Sequence, residues 1–158
     1  VLVEQLTQKG FEHYEVSNFG QAGFHSVNNS SYWQGKPYLG IGPSAHSFYD
    51  NQRSWNINNN KKYLDGIAQG SLTIERERLT LIDQYNEFIM TGLRTSKGVA
   101  LNDIQTRFGE RFAVLFEQQL EKHLRQKNLF WDGDTVKVTQ KARFLVDGIA
   151  SDLFLLNR

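Results

Sequence analysis

Apolar residues in the second half of the chain recur with the period of a helix, and those in the first half with shorter, more broken patterns. Ile82, Tyr85, Ile89 and Leu93 stand at i, i+3, i+7 and i+11. Thr80 and Asp83 form a capping-box pattern ahead of them, so a helix is predicted to run to about residue 96, with Gly98 as its stop. A short second helix follows Asn102 as N-cap and ends at Gly109. A third, over 110–127, carries Phe112, Leu115, Phe116, Leu120 and Leu124 on one face. It gathers Lys122, His123, Arg125 and Lys127 in its last turns, where cations suit the helix dipole. His123 reads as a helix-end residue and not as a ligand. Asp132-Gly133 between two short β-prone runs, 129–131 and 136–138, predicts a tight hairpin. Thr139 then caps a final helix reaching residue 154, with Ala142, Leu145, Val146, Ile149 and Leu153 inward. Three helices, a hairpin and a closing helix resemble a winged-helix domain.

The first half reads differently. Leu2, Leu6 and Phe11 with Gly10 suggest the end of an amphipathic helix, followed by a strand over 13–17. Helix then strand is the order of an α/β barrel, whose sites lie at the C-terminal ends of strands; that places Glu15, Asn18 and Gly20 near any ligand at such a rim. Asn18 serves equally well as a turn residue. Residues 24–31 are polar and loop-like. Runs over 38–49 and 53–57, joined across Asp50-Asn51-Gln52, predict an antiparallel hairpin. Gly40 and Gly42 share one face of the first run, which invites a close approach by a ligand or another backbone, or a tight bend at a sheet corner. A helix is predicted over 61–69, stopped by Gly70. Around 71–75 the composition shifts from aromatic and glycine-rich to leucine, glutamate and arginine. The expected fold is therefore α+β, with one domain over 1–72 and a helical, winged-helix-like domain over 73–158.

Charge and composition narrow the function. Lys plus Arg number 18 against 17 acidic residues, so nothing draws the chain as a whole to nucleic acid or to an anionic membrane. From residue 75 onward the balance is 13 to 12, and the third helix, where a winged helix would read DNA, carries Glu117 and Glu121. Phosphates would be repelled there, so no nucleic-acid partner is expected. No apolar run approaches the 18 residues of a membrane span and no leader is recognisable, which makes cytoplasmic residence the expectation. There is no cysteine, so disulfides and thiolate metal sites are excluded for this chain alone. His13, His25, His46 and His123 show no short metal-ligand spacing, and no catalytic constellation is evident.

Four motifs in order carry a resemblance: Tyr14-Glu15-Val16-Ser17-Asn18-Phe19; Asn28-Asn29-Ser30-Ser31-Tyr32-Trp33; Tyr38-Leu39-Gly40-Ile41-Gly42 running on to Ala45-His46-Ser47; and Trp55-Asn56. Together they resemble the oxygen-independent coproporphyrinogen III oxidase-like family of radical SAM proteins, most of all its haem-chaperone branch. The likeness is specific over about the first seventy residues and diffuse afterwards. It implies that the chain is the C-terminal part of a longer protein: the remnant of a radical SAM α/β barrel with an antiparallel hairpin, followed by the winged-helix-like domain. The parent would hold S-adenosylmethionine and a [4Fe–4S] cluster in an upstream half. It would handle a tetrapyrrole, either oxidising coproporphyrinogen III or delivering haem to an acceptor protein, while this chain alone would not be an enzyme. The motifs nominate Glu15, Asn18, Gly20, Asn28, Tyr32, Gly40, Gly42 and His46 as cofactor-binding candidates. Two positions depart from the pattern: Asn28 replaces a His, and Gly20 an Ala. If that His ligates haem iron, His25 or His46 must substitute; if it only hydrogen-bonds, Asn28 can do the same. Tyr32, Trp33, Tyr38 and Trp55 would suit a flat macrocycle, although large aromatics more commonly form a sheet core.

Overall fold

The computed structural model describes residues 1–156. It divides into two compact units, one made of Val1–Trp33 together with the chain from Leu81 onward, the other of Gln34–Thr80.

The chain opens with α1 (Leu2–Gln8) and turns at Gly10 into β1 (Phe11–Glu15). The expected strand is present, but its partner is the next one, β2 (Asn18–Gln21), in an antiparallel pair with an irregular step between Glu12 and Glu15. Asn18 thus begins a strand and does not end one. The polar stretch expected to be loop contains α2 (Val27–Trp33), with Ser26 Oγ accepting from the Asn29 amide at its start.

In the second unit only β3 (His46–Tyr49) of the long predicted strand is regular. Gly42 at φ 110° and Ser44 at φ 59° turn the backbone out of the extended region, and Tyr38 reaches the sheet through an isolated bridge to Phe48. β4 (Gln52–Asn56) pairs with β3 in the expected hairpin, with His46 opposite Trp55. Asn59 caps α3 (Asn60–Ala68) by accepting from the Lys62 amide at 2.9 Å. A strand that the sequence pattern did not suggest, β5 (Ile74–Arg78), pairs with β4 along its whole length. Its alternation of Glu and Arg is that of an exposed sheet edge, so it carries no apolar face to betray it. The compositional shift at 71–75 falls inside this unit.

The rest follows the helical pattern closely. α4 (Leu81–Arg94) buries Tyr85, Ile89 and Leu93. Two residues, Val99–Ala100, form β6; α5 (Leu101–Phe108) and α6 (Glu110–Arg125) follow, then the wing of β7 (Leu129–Asp132) and β8 (Thr135–Val138). Sheet order β6-β8-β7 closes the wing onto the helices. That pairing explains why Ala100 and not Asn102 caps α5: the Leu101 amide donates to the Asp134 carbonyl across the wing. The closing helix is not continuous either, since Gln140–Leu145 is a 3₁₀ helix and α7 spans Val146–Asp152.

α4, α5, α6 and the wing enclose one apolar core, in which Tyr85, Ile89, Val99, Ile104, Phe116, Leu120 and Val136 are fully buried. Each large apolar side chain so buried stabilises the fold by about 1.5–3 kcal/mol relative to exposure. Burial pushes the Tyr85 phenol well above its usual range. No helix among the described residues is long and apolar enough to cross a membrane.

Candidate functional site

In the first unit two of the nominated residues, Glu15 and Asn18, meet at a buried carboxylate. Glu15 is 1 % exposed at the end of β1. The turn to β2 aims two donors at its Oε2, the Ser17 amide at 2.9 Å and Asn18 Nδ2 at 2.5 Å. Arg94, the last residue of α4, brings Nη2 to within 3.0 Å of Oε1 and Nη1 to within 2.6 Å of Asp147 Oδ1 in α7. Burial pulls the Arg94 guanidinium down, but the two carboxylates outweigh it and its pKa ends above the usual value. The guanidinium carbon also lies 5.2 Å from the centre of the Trp33 ring, a cation–π contact. Both Glu15 oxygens are engaged, which suits a clamp better than a proton carrier. The Val16 amide donates to the Arg94 carbonyl and the Ser96 amide to the Tyr14 carbonyl, so the β1–β2 turn is stitched to the end of α4.

Asn18 extends the network, accepting through Oδ1 from Asn29 Nδ2 at 3.2 Å. Asn29 and not Asn28 therefore faces this cluster; Asn28 is exposed in the first turn of α2. Tyr32 is half exposed, edge-on to Trp33 with centroids 6.3 Å apart. Gly20 is buried because His25 packs on it: a Cβ there would meet His25 Cδ2 at 3.0 Å and the Phe24 carbonyl at 3.2 Å. The His25 ring stacks on Tyr14 at 4.2 Å, with Nε2 2.8 Å from Glu12 Oε2. His13 stacks on Phe19 at 4.2 Å and donates from Nε2 to the Val16 carbonyl, and burial lowers its pKa.

In the second unit Gly40 and Gly42 belong to an irregular loop leading into β3. Gly40 is there for a close approach, since a Cβ would run into the backbone carbonyl of His46; Gly42 is there for its positive φ. The loop is held by Asn56, which is 7 % exposed and donates from Nδ2 to the Gly40 and Gly42 carbonyls at 3.3 and 2.8 Å. Tyr63 Oη accepts from the Gly42 amide and Ser47 Oγ from the Gly40 amide. His46 is exposed, its ring tilted against Trp55 with centroids 5.7 Å apart, and Trp55 Nε1 donates to Glu75 Oε2. Sequence reading nominated the glycines and His46 but passed over Asn56 and Arg94. Asn56 sits in the Trp55-Asn56 motif, which was the available signal. Arg94 had none, because its partner Glu15 is 79 positions away.

Outside these clusters, His123 is buried on α6, with Nε2 3.1 Å from Asp152 Oδ2, and Lys122 holds the Asp152 carboxyl below its usual range. Among the described residues, no group of three or more His, Cys, Asp or Glu is placed to hold a metal.

Comparison with known proteins completes the picture. The chain is 32% identical over 157 residues to the heme chaperone HemW of Lactococcus lactis, covering 94% of this chain and 41% of that protein. Against the heme chaperone HemW of Bacillus subtilis it is 29% identical, with 92% and 38% covered. In fold it is similar to the coproporphyrinogen III oxidase (HemN) of Escherichia coli, a radical SAM enzyme. The TM-score is 0.75 at 19% identity, over 97% of this chain and 39% of that one. The chain thus spans about two fifths of the length of these relatives. Residues 67–145, half of the sequence, match the HemN C-terminal domain, and the chain belongs to that family.

Proposed function

We propose that the chain forms the C-terminal portion of a radical SAM protein that handles haem, of the chaperone type. The observation that carries this reading is the likeness to a heme chaperone along 94% of the chain. A [4Fe–4S] cluster takes thiolate ligands and the chain has no cysteine, so its residues do not fit the cluster. In this reading the cluster and S-adenosylmethionine belong to the remainder of the protein, which is cytoplasmic and passes haem to an acceptor protein.

Haem asks for an imidazole and an aromatic wall. His46 fits: its ring is exposed, no hydrogen bond among the described residues engages it, and Trp55 flanks it. His25 fits less well, because its ring is packed between Tyr14 and Gly20 and ion-paired to Glu12. Bound haem iron would supply an open coordination site; this chain would orient the macrocycle and present His46 from a loop fixed by Asn56.

Titration of haem into the protein, followed at the Soret band, tests this. The shift on binding is expected to be lost in His46→Ala and kept in His25→Ala. An unaltered spectrum and affinity in His46→Ala would remove this residue from the reading.

A further inference from the structure

A second feature of the first unit has no part in that reading. Beyond the end of α4 lies a cavity of about 100 Å³, walled by Val16, Leu93, Phe130 and Val138 and edged by Thr95 and Ser96. One water needs about 10–15 Å³ by the same measure, so the cavity has room for a group of several heavy atoms. Three cations border it: Arg94, Lys137 and Arg143.

Their pairings are unequal. The terminal nitrogens of Arg94 are taken by Glu15 and Asp147, yet its Nε is buried without a partner. Lys137 reaches Asp132 Oδ2 at 2.7 Å across the wing. Arg143, on the 3₁₀ helix, donates Nη1 to the His13 carbonyl at 2.9 Å and makes no ion pair among the described residues. Partial burial lowers its pKa, and no carboxylate among the described residues offsets that desolvation. A guanidinium offers five donors in a planar fork that matches a carboxylate or phosphate. The end of α4 opposes an anion through its dipole, but only by about half a charge, and the Gly92 and Arg94 carbonyls there already accept from Thr95 and from the Val16 amide.

We propose that this cavity binds one small oxyanion, a carboxylate or a phosphate group, held by the Arg143 fork with Lys137 and the Ser96 hydroxyl beside it. The oxyanion supplies the charged partner that Arg143 lacks.

Sodium propionate and sodium phosphate, titrated separately into the protein at constant ionic strength in chloride, test the proposal through amide and guanidinium ¹H–¹⁵N shifts. Saturable shifts at Thr95, Ser96 and Arg143 are expected with at least one of the two; propionate alone would assign a carboxylate ligand and phosphate alone a phosphoryl ligand. Arg143→Gln should weaken binding about tenfold or more, the size of one charge-assisted hydrogen bond, and Lys137→Gln by a smaller factor. No saturable shift with either anion overturns the proposal, as does wild-type affinity in Arg143→Gln. Should Arg143→Gln lose its folded circular-dichroism spectrum, Lys137→Gln decides, and unchanged affinity there overturns it. Haem plays no part in these titrations, so their outcome is independent of the haem reading.

Discussion

The two units of this molecule are held together by different physics. The winged-helix portion is organised by an apolar core to which α4, α5, α6, the wing and α7 all contribute fully buried side chains. The unit over Gln34–Thr80 buries Asn56, Gly66 and Leu79, while Leu39, Ile41, Tyr49, Leu64 and Ile67 stay exposed. Its loop owes its shape to one carboxamide that reaches two carbonyls, to a tyrosine hydroxyl, and to glycines at positions that tolerate no side chain or need a positive φ. A core tolerates conservative apolar exchange, whereas a polar clamp of this kind depends on the identity of single residues. The clamp carries two of the four motifs, the run over 38–47 and Trp55-Asn56, and the other two lie in the first unit.

The largest expected break in that comparison is in the core. Phe116→Ala, at a side chain with no exposed surface, should cost about 3–5 kcal/mol and be read as a large fall in the denaturation midpoint. In contrast, Leu64→Ser on the exposed face of α3 should shift it by less than about 0.5 kcal/mol. Next comes the buried ion pair: Glu15→Ala strips Arg94 of one of its two carboxylates and leaves the Ser17 and Asn18 donors without their acceptor, and should cost about 3 kcal/mol, with the same unfolding transition as evidence. A smaller effect is expected at the clamp. Asn56→Ala frees two carbonyls and should cost about 1–3 kcal/mol, confined by amide exchange to the loop around Gly40 and Gly42.

A pH effect is the smallest. Burial lowers the folded-state pKa of His13 beneath the unfolded value of about 6.5. Its contribution is therefore fully present above about pH 6.5 and lost as pH falls from there through the folded pKa, because protons then bind the unfolded chain preferentially. Stability measured from pH 7.5 down to 5 should decline, and His13→Gln should flatten the decline. Asp152, held below its usual range chiefly by Lys122, adds a further loss only as pH falls below about 4.

What was legible in the sequence follows the same division. Tyr85, Ile89 and Leu93, or Phe116 and Leu120, announce their helices because burial imposes a 3.6-residue period on apolar side chains. β5 was invisible because its side chains are all exposed and its strand character comes from backbone pairing to β4. β6 was too short for any period, and the interruption between the 3₁₀ helix and α7 left no mark in an apolar pattern that runs through both. α2 was hidden by Asn and Ser, which favour turns. Of the candidate residues, Glu15 and Asn18 came together and were joined by Asn29 and Arg94, while Asn28 stayed at the surface. Such pairings are set by tertiary contact, on which local spacing is silent.

We propose that haem meets this chain at the clamped loop around Gly40, Gly42 and His46. Hydrogen–deuterium exchange of the protein with and without haem tests this directly. The account predicts added protection in peptides spanning residues 38–56 and none in those spanning 110–125. Protection confined to 110–125, or no change at 38–56 under saturating haem, would contradict it.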